Sequence, residues 1–453
     1  VKKVQSDECR LQNEDKEGEA FPPGTGRGRI GGPAIVRSAL CTHRSALARQ
    51  TAPTTEKSKN LKIILAHNFY QQAGGEDQVF ADEAALLESR GHNVIRFTVH
   101  NDQVKHLSRL TLARRTIWNP ESRSDLEKLV RREQADVVHF HNTFPLLSPS
   151  VYSAARSAGA AVVQTLHNYR LICPTAICYR DGKVCEDCVT RTIPWPAILH
   201  RCYRGDRGAS MVTAGMLAVH HLRGTYRNDV DAYIALTAFA REKFIEAGML
   251  GDKFTVKPNF VNPDPGPGDG SGGYCLFVGR LTESKGVQIL LNAWKQLPGD
   301  IRLKIAGDGE MASVVKDAAA NDPRIQYLGR QSPDQVNDLM GRARALIFPS
   351  VWYEGLPKTI LESFARGTPV IASNLGSMSD LINAGRTGEH FNPGDPADLA
   401  STIDRLFARG SLESLRAGVR DEFESRYTAN ANYRMLMDVY ESVLRTEPQV
   451  LQV

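Results

Sequence analysis

ALIFPSVWYEGLPKTILESFARGTPVIASN, residues 345–374, is the stretch on which the fold turns. It reads as a buried strand (ALIFPS), a loop, a helix and a second buried strand (TPVIAS). In the helix, Ile360, Leu361, Phe364 and Ala365 recur on one face, and Pro357 sits near the start, where its missing N–H is tolerated. Strands with no polar alternation belong to a parallel sheet covered on both faces. Upstream, YCLFVG (274–279), IRLKIAG (301–307) and RIQYLG (324–329) repeat the pattern, separated by helical stretches such as GVQILLNAWKQL.

An earlier series begins at residue 61: LKIILA (61–66), NVIRFTV (93–99), ADVVHFH (135–141), AAVVQTLH (160–167) and DAYIALT (231–237). Between the first two, EDQVFADEAALLESRG (76–91) carries Val79, Phe80, Ala84 and Leu87 at helical spacing and ends on Gly91. The break NPDPGPGDGSGG (262–273) has the composition of a linker. The expected architecture is therefore α/β, with two doubly wound domains in tandem. An amphipathic helix, YTANANYRMLMDVYESVL (427–444), could lie across both.

Composition excludes little else. Hydrophobic residues make up 42% and charged ones 24% of the 453, as in globular proteins. No run approaches the ~18 consecutive apolar residues of a membrane span. Of the net charge of +5, residues 1–60 supply four, with eleven Lys/Arg against seven Asp/Glu. The body is near neutral, so global basicity argues for no nucleic-acid partner. The first 60 residues read as a disordered tail without the apolar core of a secretory signal. Gly26, Gly28 and Gly31 have GxGxxG spacing there, but no strand precedes them and no helix follows.

Ligands of doubly wound sheets sit at the carboxyl ends of strands. Two clusters occupy such ends. Glu354 and Glu362 are separated by seven residues, the second inside the helix described above; a helix N-terminus and two carboxylates suit an anionic, hydroxyl-rich ligand. VGRLTESKG (278–286) places Arg280 and Lys285 five residues apart after a strand, a spacing that suits a pyrophosphate. Solvated glutamates on a helix, and a surface Arg and Lys, are the competing readings of each cluster alone.

Together, VGRLTESKG, PNF (258–260), AGDGE (306–310) and the EGLPKTILE block resemble glycosyltransferase family 4, over residues 61–445. That resemblance implies the GT-B fold: two facing Rossmann-like domains with a C-terminal helix crossing back. The implied boundaries are 61–255 for an acceptor-binding domain, 256–426 for a nucleotide-sugar-binding domain, and 427–453 for the crossover helix. It implies transfer of a sugar from a nucleotide diphosphate sugar with retention, without a metal or other cofactor in catalysis. Arg280 and Lys285 would bind the diphosphate beside Gly279. Glu362 would hold the ribose, and Glu354 the donor sugar, with the amides near Gly355 and Leu356. Gly74 and Gly75 match the family's Gly-rich loop near the donor phosphates, and His167 the histidine near the reacting sugar. His139 and His141 end the preceding strand. Where the family often has a second Gly and a Pro-Glu pair, this chain has Gly376-Ser377-Met378-Ser379-Asp380.

Five cysteines fall within 173–202. Their spacing suits a structural zinc, with free thiols and disulfides as alternatives. The segment (about 170–205) resembles an insertion in a bacterial branch of the family, which implies Cys173, Cys185, Cys188 and Cys202 as the ligand set and Cys178 as a spare. Residues 191–227 hold six Arg and one acid, Asp206, a candidate surface for anionic membrane or a lipid-linked acceptor, or a solvated basic face. Asp229-Val-Asp231 mimics a metal-binding DxD but precedes a strand. The expected partners are a nucleotide diphosphate sugar and a glycan or lipid-linked acceptor, with no nucleic acid, in the cytoplasm or at the cytoplasmic membrane face. The alternative class is a non-catalytic nucleotide-sugar or nucleic-acid binding protein; a phosphorylase or epimerase on the same fold is a third.

Overall fold

The computed structural model describes residues 60–71, 74–408 and 410–445. The tail, up to residue 59, and its GxGxxG spacing lie outside them.

The first half builds β1 (Lys62–Phe69), β2 (Asn93–His100), β3 (Val137–Asn142) and β4 (Ala161–Leu166). A short antiparallel ribbon, β5 (Tyr179–Arg180) and β6 (Lys183–Val184), lies in the cysteine-rich segment. Then come β7 (Ala232–Ala235) and β8 (Phe254–Val256). Six of these form one parallel sheet in the order β2-β1-β3-β4-β7-β8. Every residue of β3 is buried, as a strand covered on both faces requires.

The second half adds β9 (Tyr274–Val278), β10 (Arg302–Ala306), β11 (Ile325–Gly329), β12 (Ala345–Phe348), β13 (Val370–Ser373) and β14 (Gly388–Phe391). They form a parallel sheet in the order β11-β10-β9-β12-β13-β14, the doubly wound arrangement. Besides the β5–β6 ribbon, one strand of each parallel sheet is not legible in the sequence. FTV (β8) and GEHF (β14) are too short and too weakly patterned to stand out from their loops.

The glycine-rich break is not a loose linker. The amides of Gly268, Gly270 and Gly272 bond to the carbonyls of Arg366, Gly341 and Arg342, so the strand lies strapped along the second half. Glycine is required there, because a methyl on Gly268 would collide with the Gly341 backbone. The Ala429–Arg445 helix returns to the first half. Its Leu436, Val439 and Tyr440, all buried, share a core with Ile63, Leu65, Phe80 and Ile234. Burial of each such side chain contributes roughly 1.5–3 kcal/mol. Where the chain crosses between halves, the Val261 amide bonds to the Tyr427 carbonyl at 3.1 Å, so the two crossings run side by side.

Candidate active site

Strand order reverses between β9 and β12 in the second sheet and at β1/β3 in the first. These are the switch points where a ligand crevice forms. The loops after β9 and β12 are pressed together. Gly286, at φ +72°, has no room for a methyl against the Pro349 carbonyl, and Gly307 none against Gly279. Gly279 itself donates its amide to the Ala306 carbonyl at 3.1 Å.

This packing brings Lys285 to Glu354. Lys285 Nζ lies 2.6 Å from Glu354 Oε1, which also accepts from Ser350 Oγ and from Trp352 Nε1 at 2.7 Å. The ammonium sits 5.4 Å from the Trp352 ring centre, within cation–π range. Glu354 is buried, and its carbonyl is held by Ser377 Oγ at 2.8 Å and Tyr169 hydroxyl at 3.3 Å. Leu356 is buried just beyond. Arg280 is exposed, with no hydrogen bond or ion pair from its guanidinium among the described residues. Glu362 lies in the Lys358–Ala365 helix. Burial raises its carboxyl above the ordinary range, Lys358 opposes that rise, and Asp82 adds to it. The structure thus joins Lys285 to Glu354 directly and leaves Arg280 and Glu362 without a bond to that pair.

Across the cleft, His167 follows β4. Gly355 faces it so closely that a methyl there would strike the His167 carbonyl. Gly74 and Gly75, by contrast, have open space where a Cβ would stand, so the protein's own packing does not demand glycine. Asp77 accepts the Gly74 amide at 2.8 Å and meets His67 Nε2 at 2.7 Å, fixing the start of the Gly75–Ser89 helix.

Behind His167 runs a buried polar chain that sequence reading gave only as isolated histidines. His167 Nε2 lies 3.0 Å from His141 Nδ1, and His141 Nε2 lies 3.2 Å from Glu83 Oε1 at an angle short of a good hydrogen bond. His139 Nδ1 is 3.0 Å from the same oxygen, while Lys257 Nζ is 2.9 Å from Glu83 Oε2. Burial alone would raise the Glu83 carboxyl, but Lys257 and His139 outweigh it and hold it well below the ordinary range. Burial lowers His141 to about 4 and holds His167 well below its usual value, so both rings are neutral at pH 7. A charged Glu83 facing His141 Nε2–H leaves His141 Nδ1 to accept from His167 Nε2–H. Glu83, His139 and His141 also converge as metal ligands would, but the Lys257 ammonium already fills the cation's role.

Cys173, Cys185, Cys188 and Cys202 line one small cavity, and Cys178 does not. All are free thiols. A tetrahedral zinc with Zn–S bonds of about 2.3 Å needs sulfurs roughly 3.8 Å apart. Asp231 serves structure: its carboxylate accepts the Val162 amide at 2.8 Å and pairs with Arg156. No helix among the described residues is long and apolar enough to cross a membrane.

Sequence reading also missed Glu76, whose buried Oε1 has no hydrogen bond of good geometry and whose Oε2 accepts from Asn168 Nδ2 at 3.1 Å. Burial raises its carboxyl to about 7. The available signal was an acid directly after Gly74-Gly75.

Two family models match, one described as Glycosyltransferase Family 4 over residues 73–265, the other as Glycosyl transferases group 1 over 272–409. An uncharacterized glycosyltransferase of Methanocaldococcus jannaschii is 27% identical over 215 residues, 47% of this chain. The match spans 60% of that protein's length. The 2-deoxystreptamine glucosyltransferase of Streptomyces kanamyceticus is 27% identical over 349 residues, 73% of this chain and 83% of its own. In fold, the chain is similar to Anabaena HepE, solved in complex with UDP, at a TM-score of 0.61 and 15% identity over 84% of this chain and all of that one. The two facing sheets are those of the GT-B fold. With His167 inside the first matched segment and the Lys285–Glu354 pair inside the second, the chain belongs to glycosyltransferase family 4.

Proposed function

We propose that the protein is a retaining glycosyltransferase that moves a sugar from a nucleotide diphosphate sugar to a hydroxyl of a glycan or lipid-linked glycan, in surface polysaccharide or glycoconjugate synthesis. The observation that carries this reading is the Lys285–Glu354 pair, held at 2.6 Å at the switch point opposite His167. A cation bonded to a carboxylate that also takes Ser350 and Trp352 is a preorganised clamp, and such fixed charges are the usual main source of rate.

On donor binding, Lys285 and Arg280 neutralise the diphosphate, Glu354 accepts from the sugar hydroxyls, and Glu362 accepts from the ribose. The anomeric C–O bond breaks with its electron pair going to the diphosphate. The acceptor oxygen bonds the same face of the anomeric carbon, and its proton passes to the departing phosphate oxygen. No metal takes part. Neutral His167 faces the sugar with its carbonyl against Gly355. The solved HepE–UDP complex supports a uridine diphosphate donor as the first to try. We place the reaction in the cytoplasm, at the membrane face. A structural zinc would sit among the four cysteines; metal analysis of wild type against Cys188→Ser tests it, one equivalent expected and its absence refuting it.

The test of the main reading is a panel of UDP-, GDP-, ADP- and dTDP-sugars, followed by thermal shift and slow nucleotide release. One donor should stabilise the protein by roughly 2.7 kcal/mol at 100 times its Kd, and Lys285→Ala should abolish its hydrolysis. Stabilisation without turnover on any acceptor would leave a binding module instead.

A further inference from the structure

A groove of about 860 Å³ opens beside the cleft, between the Arg109–Ile117 and Arg207–Leu222 helices. Leu112, Ala113, Phe144, Tyr203, Met211 and Val212 make its walls. Leu110 and Met211 stand on it 81% and 58% exposed, an apolar surface that water leaves unsatisfied. Charge at the groove is biased one way. Arg109 and Arg204 line it, and the one acid there, Asp206, is committed to the Ala209 amide at 2.7 Å.

The inner end of the groove reaches the reaction centre. Tyr70, which follows β1, lines it and contacts Glu76, and Glu76 is bonded to Asn168, the neighbour of His167. Behind the Phe144 and Tyr203 rings lies the Arg170 guanidinium, 4.2 Å and 5.3 Å from their centres. Its Nε is buried without a hydrogen bond. One unspent donor, Arg170 Nε, therefore lies at the junction of groove and cleft, beside a Glu76 carboxyl engaged by Tyr70 and Asn168.

Along the groove stand half-buried apolar walls with exposed cations at the rim, and its inner end leads to a carboxylate beside His167. Resting on the transferase reading above, we propose that this groove holds the apolar chain of a phosphate-bearing lipid acceptor, with its phosphate toward Arg204 and Arg170 and its reacting hydroxyl at Glu76. The volume falls in the range of single-ligand sites, and alternating apolar and cationic chemistry suits an amphiphile better than a free sugar.

The test uses the full chain titrated with farnesyl phosphate, farnesol and inorganic phosphate, and separately with UDP. Farnesyl phosphate should bind saturably at one site, farnesol at least fivefold more weakly, and inorganic phosphate should not compete. Ala113→Trp and Val212→Trp, which fill the groove, should each weaken farnesyl phosphate tenfold or more and leave UDP affinity unchanged. Leu222→Ser, exposed but outside the groove, should change neither. Arg204→Glu should erase the preference for the phosphate over the alcohol. Absence of saturable binding, indifference to both tryptophans, or uptake only onto anionic vesicles would overturn the groove. Failure of UDP to bind would instead overturn the donor reading, and the two results are read independently.

Discussion

Lys358 and Asp82 join the two halves of the protein across the cleft, with Nζ 3.0 Å from Oδ2 and side chains 25% and 13% exposed. The bond ties the helix carrying Glu362 to the helix that follows Gly74 and Gly75. Lys358→Met leaves Asp82 facing the Glu362 carboxyl that it already disfavours in charged form. The expected result is an opened cleft: a larger radius in small-angle scattering and a donor KM raised about tenfold. Global stability should fall by only ~1 kcal/mol, as for a partly exposed pair. An unchanged radius and KM would remove the bond from any role in closure.

Gly355→Ala tests the same closure from its tightest point. The added methyl meets the His167 backbone carbonyl, which cannot swing aside as a side chain could. Turnover should drop about a hundredfold, a cost of roughly 2.7 kcal/mol in the transition state, with melting temperature nearly unchanged. Full activity in the alanine variant would mean that the halves react farther apart than they stand here.

Glu76 predicts an unusual pH dependence. Its folded carboxyl titrates near 7, against about 4.5 for the unfolded chain, because burial penalises the charge. The folded state then binds the proton more tightly. Stability is greatest below pH 4.5 and is lost as pH rises through 7, by on the order of 3 kcal/mol. Glu76→Gln should match wild type near pH 5 and exceed it at pH 8, measured by urea denaturation at both pH values.

Glu83 works in the opposite sense. Its folded carboxyl lies well below the unfolded value, so its contribution is present above pH 4.5 and disappears as pH falls further. Removing one member of this buried pair strands the other. Glu83→Ala or Lys257→Met should each cost ~3–5 kcal/mol, whereas the Glu83→Gln/Lys257→Met double variant should recover part of it. If each single change costs under about 1 kcal/mol, the pair is solvated and the chain behind His167 is not fixed by it.

The C-terminal half was the more legible. In 345–374 the strand, Pro357, the helical apolar face and the second strand all agree, and the expected strands at 274–279, 301–307 and 324–329 fall on β9, β10 and β11. Local pattern carries such elements. It cannot carry Glu83–Lys257 or Lys358–Asp82, whose partners stand 174 and 276 residues apart. The groove escaped for the same reason, since its walls come from helices with β3, β4 and the cysteine-rich segment between them in the chain. Composition misled once, at residues 262–273: glycine there serves close backbone approach and not freedom.

The return of the Ala429–Arg445 helix has a consequence for synthesis. Tyr440 meets His139 across 301 residues of chain, and Leu436 and Val439 close the same core. At roughly 5–20 residues per second, a ribosome needs about 15–60 s to make that span. Throughout that interval the first sheet waits with part of one face uncovered, beside the Gly75–Ser89 helix, while the second half is made and can fold ahead of it. The half that emerges first is thus the half that is finished last.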